Sequence, residues 1–126
     1  MSEFEKLELP QVEGLQVKLS GANALSLAGV LSTPDPRQTV GAFFEALHKA
    51  ALADGVSSVE VNVRELTFVN SSAIRLFVDW ASRITSTPEN QRYQVHFLTN
   101  RQITWQRTSF NVLRSLAPEA VQITSE

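Results

Sequence analysis

The chain has 126 residues, 43% hydrophobic and 19% charged, with a formal net charge of −2 and no cysteine. That length suits one domain with a core of its own, since domains cluster near about 100–150 residues. Without Cys there is no disulfide scaffold, no Cys-ligated zinc and no thiol nucleophile, and His48 and His96, the only histidines, leave little for a His-based metal site.

The near-neutral balance is no nucleic-acid footprint, but it hides an uneven distribution. Residues 1–14 carry Glu3, Glu5, Glu8 and Glu13 against Lys6 alone. From Gln91 to Pro118 there is no acid, only Arg92, Arg101, Arg107 and Arg114 as charged residues. The pattern reads either as a charged contact surface or as ordinary surface variation. No run approaches the roughly 18–20 apolar residues of a membrane span. The start, Met1 to Glu5, lacks the basic and apolar regions of a signal peptide. The expectation is a soluble cytoplasmic protein without membrane insertion, and no repeat or low-complexity run is visible.

In chain order, residues 1–14 read as a loose acidic arm and residues 15–126 as the domain. Leu15, Val17 and Leu19 alternate with Gln16, Lys18 and Ser20, which is the period of a half-buried strand. Gly21-Ala22-Asn23 signals a turn, and Ala24 to Leu31 reads as a second strand, so the opening is a hairpin. Asp35-Pro36-Arg37-Gln38 carries the marks of a helix start: a capping carboxylate, Pro at the first position and a capping-box Gln. Val40, Phe43, Phe44, Leu47, Ala50 and Ala51 follow at helical spacing, and Gly55 is the expected stop. His48 lies off that stripe and reads as a solvated helix residue.

Val59, Val61 and Val63 form a strand whose apolar run continues through Leu66, Phe68 and Val69. Asn70 then caps a second helix, with Ser71 and Ser72 in its first turn and Ile74, Phe77, Trp80, Ala81 and Ile84 as its apolar stripe. Thr85 to Asn90 is a loop. Tyr93, Val95 and Phe97 alternate in the next strand, where His96 reads as a packed or edge residue. Thr99 or Asn100 is the expected cap of a third helix. Ile103, Phe110, Leu113 and Leu116 lie on one face of it, and Pro118 ends it. Val121 and Ile123 form the last strand. The order β-β-α-β-α-β-α-β predicts an α/β domain: a mixed, mostly parallel sheet with helices packed on it.

Chemistry-bearing motifs are few. Neither phosphate-cradling glycine loop is present, and Ser71-Ser72 lacks the flanking glycines of a serine-hydrolase elbow. The acidic N-terminus reads as a solvated arm and not as a metal site. Trp105 and Phe110 near Arg107 could stack bases, but core packing explains them. No catalytic residue, metal or cofactor is expected, and no nucleic-acid partner.

The distinctive stretch is Glu65-Leu66-Thr67-Phe68-Val69-Asn70-Ser71-Ser72-Ala73-Ile74-Arg75-Leu76 after a Val-rich strand. It resembles the signature of STAS domains, the fold of bacterial anti-sigma factor antagonists, in which a Leu-[ST]-Phe-apolar step leads to Asp-Ser-Ser-Gly opening a helix. The resemblance runs from about Leu15 to Ser125. It implies a non-enzymatic regulator of transcription that acts by protein–protein partner switching. The implied partner is an anti-sigma factor with a serine kinase fold, and ATP belongs to that kinase. The family pattern places the regulatory phosphoserine on Ser72, with Ser71 second. Asn70 stands where the family has Asp, and Ala73 where it has Gly. A helix N-terminus tolerates the roughly −1.5 to −2 charge of a phosphate, and Arg75 lies one turn on. The expected contact surface is Asn70, Ser71, Ser72, Ala73, Arg75 and Asp79. The alternative is an unphosphorylated STAS-like adaptor or structural subunit of a signalling or membrane-transport complex.

Overall fold

The computed structural model describes residues 3–20 and 23–125. Its strands are β1 (Leu15–Leu19), β2 (Ala24–Leu31), β3 (Ser58–Asn62), β4 (Leu66–Val69), β5 (Gln94–Thr99) and β6 (Val121–Ser125). The helices are α1 (Val40–Asp54), α2 (Ser71–Thr85) and α3 (Thr104–Leu116). The sheet runs β1-β2-β3-β5-β6, with β4 also paired to β2. Only β1 is antiparallel to its neighbour; the other pairings are parallel. The fold is therefore the mixed, mostly parallel α/β sheet expected, consistent with a STAS-like architecture.

Every parallel crossover steps the same way across the sheet, so right-handed connections put all three helices on one face. Burial follows that geometry. Leu25, Leu27, Val59, Val61, Val95, Phe97 and Val121 point to the helices and are buried. Their alternates, such as Ser26, Glu60, His96 and Gln122, face the open side. Aromatic rings join the layers: Phe44 stacks on Trp80 at 4.9 Å between centroids, and Phe77 meets Phe97 and Phe110 edge-on.

The apolar run after β3 is a separate strand. The chain turns at Val63–Leu66, with Asn62 Oδ1 accepting from the Arg64 N–H at 3.0 Å. β2 pairs β3 through Ala24–Ser26 and β4 through Gly29–Leu31, with a bulge at Gly29/Val30. Where β4 departs from the ladder, α3 supplies the partners. The Gln106 side-chain amide donates to the carbonyls of Val63 (2.6 Å) and Leu66 (2.8 Å) and accepts from the Asn100 N–H (2.8 Å). Trp105 Nε1 donates to the Thr67 carbonyl at 2.8 Å.

Four local expectations change. The N-terminal segment is not loose: Phe4 lies in the core, and the Asp54 carboxylate at the end of α1 accepts from the Glu3 and Phe4 N–H groups. Leu7, Leu9 and Val12 pack behind it. The Asp35-Pro36 start forms a short 3-10 turn (Pro36–Gln38), and α1 begins after it at Val40. Its end is as expected, Gly55 in the left-handed region. Neither Thr99 nor Asn100 caps α3. Thr99 is the buried end of β5, Asn100 Oδ1 accepts from Gln102 N–H, and Ile103 holds the cap position. Leu116 is not on the buried face but 64% exposed.

His48 is also bound rather than solvated. Trp80 Nε1 donates to the buried Tyr93 hydroxyl at 2.8 Å, and that hydroxyl lies 2.7 Å from His48 Nδ1. Burial pushes the Tyr93 pKa up, so the phenol keeps its proton. The indole can only donate, so the phenol oxygen accepts from Trp80 and is also hydrogen-bonded to His48 Nδ1. Burial first, and Arg83 second, lower the His48 pKa, which favours the neutral ring.

Candidate functional site

β4 ends at Val69 and α2 starts at Ser71, so the strand-to-helix turn falls on Asn70. The Asn70 backbone N–H donates to the Leu31 carbonyl at 3.0 Å, extending the β2–β4 ladder into the turn. Its side-chain oxygen accepts from the Ala73 N–H at 2.9 Å and caps the helix. Its side-chain amide donates to the Thr33 carbonyl at 3.0 Å. One residue thus fixes the start of α2 and ties it to the loop after β2. Aspartate would cap equally well but has no proton to give Thr33. That is a structural reason for Asn at this position.

Asn70→Ala is expected to cost about 1.5–3 kcal/mol, the sum of a lost cap and a lost hydrogen bond. Asn70→Asp keeps the cap and should lose less. Urea titrations of both variants check the order. If Asp costs as much as Ala, repulsion between its carboxylate and the Thr33 carbonyl cancels the cap.

Ser71 and Ser72 follow on the first turn of α2, both exposed, and neither hydroxyl is hydrogen-bonded to another described residue. Ala73 is fully buried, with its methyl group in the core. The motif places it among the contact residues, but no partner can reach it, because successive residues on a helix point about 100° apart. Arg75 and Asp79 are exposed on α2. Across from them stands the 3-10 turn at Pro36–Gln38. Together they bound an open cleft of about 790 Å³ lined by Asp35, Arg37, Ser71, Ser72, Arg75 and Asp79, among others. Arg37 is paired within the turn, its Nε 3.3 Å from Asp35 Oδ1. The structure therefore brings Ser71, Ser72, Arg75 and Asp79 to one surface, places Asn70 beneath as their support, and removes Ala73 from it. Sequence reasoning missed the Asp35–Arg37 side of the cleft, because that stretch reads as a helix start and nothing in it shows which helix it faces.

Neither imidazole approaches the serines. His48 is engaged with Tyr93, and His96 Nε2 lies 2.6 Å from Thr124 Oγ1 on β6. Among the described residues no group of three or more His, Asp or Glu side chains gathers, and no helix is long and apolar enough to cross a membrane. The turn offers two free hydroxyls, a helix N-terminus and nearby charges of both signs. That equips it to carry a modification or meet a protein surface.

Comparison with known proteins gives one solved structure. The chain resembles the activator chain in the crystal structure of the diguanylate cyclase SiaD in complex with its activator SiaC from Pseudomonas aeruginosa. The TM-score is 0.68 at 17% identity, over 89% of this chain and 92% of that one. At that identity the likeness shows the fold. No protein-family model and no curated protein matches.

Proposed function

We propose that this chain is a non-enzymatic regulatory module that binds a protein partner through the Asn70–Asp79 surface, and that phosphorylation of Ser72 switches that binding. The observation that carries the reading is the position of Ser72. It is exposed and unbonded, on the first turn of a helix whose start is held by another residue's side chain. A phosphate there meets the positive end of the helix macrodipole, worth about 0.3–1 kcal/mol. The fold therefore survives modification while the surface charge changes.

The two departures from the STAS signature weigh little against this. Asn70 is occupied in holding Thr33, and its neutrality spares a phosphate the repulsion of an aspartate. The Ala73 methyl group is buried, so an incoming kinase meets the same surface as with Gly. The structural neighbour works in complex with a protein that it activates, which supports protein binding as the mode of action. An anti-sigma factor with a serine kinase fold is the partner we infer from the signature.

The test is incubation with serine kinases from the source cell and ATP, followed by intact-mass measurement. One phosphate adduct is expected, lost in Ser72→Ala and retained in Ser71→Ala. Ser72→Glu should release the partner that the unmodified chain retains. No adduct, or one that survives Ser72→Ala, removes Ser72 from the switch. A second reading, an unphosphorylated adaptor in a signalling or transport assembly, draws on the exposed Phe68, Val112 and Leu116, since permanent interfaces are more apolar. Pull-down from native cells separates the two: a kinase and a sigma factor support the switch, and a stable multi-subunit complex supports the adaptor.

A further inference from the structure

The two ends of the sheet are not alike. β1 ends it on one side and β6 on the other, and among the described residues no strand pairs the outer side of either. Exposed edges are normally blunted by a charge, a Pro or a bulge. β1 carries the exposed Lys18 near its centre. β6, Val121-Gln122-Ile123-Thr124-Ser125, has no charge, Pro or Gly and is rich in β-branched residues. Its side chains hold it to β5: Gln122 Nε2 donates to Gln94 Oε1 at 2.9 Å, and Thr124 Oγ1 lies 2.6 Å from His96 Nε2. The Val95 N–H donates to the Ala120 carbonyl across the parallel ladder. Backbone groups alternate in direction along a strand. Gln122 and Thr124 therefore turn theirs to β5, and Ile123 and Ser125 turn theirs outward.

The charge beside this edge comes from α3, which packs on β6 and against α2. Gln106, Phe110 and Leu113 point down onto the sheet, and Trp105, Ser109 and Val112 face α2. Each helical residue turns by about 100° from the last, so Arg107 and Arg114 fall on the side opposite α2, toward the edge of β6. Neither has a carboxylate partner among the described residues: Arg107 donates to the Arg101 carbonyl at 3.4 Å and Arg114 to Asn111 Oδ1 at 3.2 Å. Glu119, just before β6, is 3.1 Å from Arg92 and paired with it. The edge thus offers outward backbone groups beneath two guanidinium groups that no acid neutralises. A second copy of the chain fits poorly. Pairing β6 with β6 would bring α3 beside α3 and set the arginines of each against those of the other.

We propose that the free edge of β6 pairs with an extended acidic segment of a partner protein, which adds a seventh strand to the sheet. The backbone of the segment bonds Ile123 and Ser125. On its helix side an apolar residue covers the half-buried Ile123, and an acid two residues away on either side meets Arg107 or Arg114. The spacing fits. Acids four residues apart on a strand stand about 13 Å apart, and Arg107 and Arg114 are separated by about 10 Å of helix rise. The pattern acid-x-apolar-x-acid reads the same in both directions, so it suits parallel and antiparallel pairing alike. No residue of this edge lines the Ser72 cleft, so it is a second contact and not an extension of the first.

The test is selection from a displayed library of random unconstrained peptides on the folded chain, with affinities of the enriched peptides measured by fluorescence anisotropy. Enrichment of acids four residues apart around an apolar residue is expected. In the complex, hydrogen exchange at the Ile123 and Ser125 N–H groups should slow by about tenfold or more, while Gln122 and Thr124, already bonded to β5, change little. Affinity should fall by about tenfold or more in Arg107→Glu/Arg114→Glu and in Ser125→Pro, which removes an outward donor, and should weaken with salt. Circular dichroism verifies that both variants fold. N-methylation of the peptide backbone leaves the chain itself unaltered: methylating the alternate residues that face β6 should abolish binding, and methylating the other set should not. Ser72→Glu should leave binding unchanged. Peptides that lose binding in Ser72→Glu but not in Arg107→Glu/Arg114→Glu would overturn the β6 contact and leave the Ser72 reading standing. No enrichment, enriched peptides without acids, or indifference to N-methylation would overturn it too. So would self-association of the chain abolished by Ser125→Pro.

Discussion

Gln106→Leu is expected to destabilise the fold by about 2–3 kcal/mol, from the buried Leu66 carbonyl, orphaned at about 1–3 kcal/mol, and the half-buried Asn100 N–H, orphaned at less. Gln106 is fully buried. Leucine fills a similar volume, so the loss comes from polar atoms rather than from a cavity. The Leu66 carbonyl and the Asn100 N–H lose their partner, while the Val63 carbonyl still accepts from the Leu66 N–H at 2.9 Å. Gln106→Glu separates polarity from packing. At neutral pH its carboxylate would face two carbonyl oxygens, so its pKa should rise in the folded state above the unfolded value of about 4.3. The proton is then held more tightly by the folded chain. Stability should therefore be higher below the unfolded pKa and fall as pH rises through the folded one. Denaturant midpoints across acid and neutral pH measure this. A Gln106→Leu midpoint equal to that of the parent would mean that water satisfies the break between β3 and β4. Hydrogen exchange at Leu66–Val69 should accelerate first, because these residues carry the turn that presents Ser72.

Gln106 also shows where the sequence was legible and where it was not. The helical stripes of α1 and α2 and the alternation in β3 and β5 announce themselves, because one-sided burial imposes a period on the residues. Asn70 as the cap of α2 was readable for the same local reason. The break between β3 and β4 was not. Val63-Arg64-Glu65 contains no Gly or Pro, and the apolar run continues across it, so nothing local records that β4 shifts onto the second half of β2. One signal was present: Gln106 falls between Ile103 and Phe110 on the apolar stripe of α3, where a polar residue needs a buried partner. Phe4 was hidden by its neighbours, since four glutamates in residues 1–14 make the segment look solvated. What docks it is the Asp54 carboxylate, 51 residues away from Glu3. Of the site, the serines and Arg75 were readable from the motif. The burial of Ala73 and the Arg37 side of the cleft depend on packing between elements, which no local pattern encodes.

The second large effect is expected at Gly29, on the bulge that lets β2 serve two strands. Gly29 has φ of 96°, a region that costs a non-glycine residue about 1–3 kcal/mol. A Cβ there would also run into the carbonyl oxygen of Gly14. That oxygen cannot rotate away, because it accepts from the Val30 N–H at 2.9 Å. Gly29→Ala should therefore cost about 3 kcal/mol in urea unfolding, from backbone strain plus a forced shift of the chain entering β1. Gly55→Ala is the internal control. It too has positive φ, but a Cβ there would meet nothing within 4 Å, so only the conformational part, about 1 kcal/mol, is expected. The difference between the two variants isolates the Gly14–Gly29 contact, and equal losses would show that the contact relaxes freely. The variants should also differ in function. The Gly29 N–H donates to the Glu65 carbonyl at 2.9 Å, and its own carbonyl accepts from the Thr67 hydroxyl at 3.1 Å. A shift at Gly29 therefore passes directly into β4 and the Asn70 turn, and should weaken partner binding at Ser72. Gly55 lies at the far end of α1 and should leave that binding unchanged.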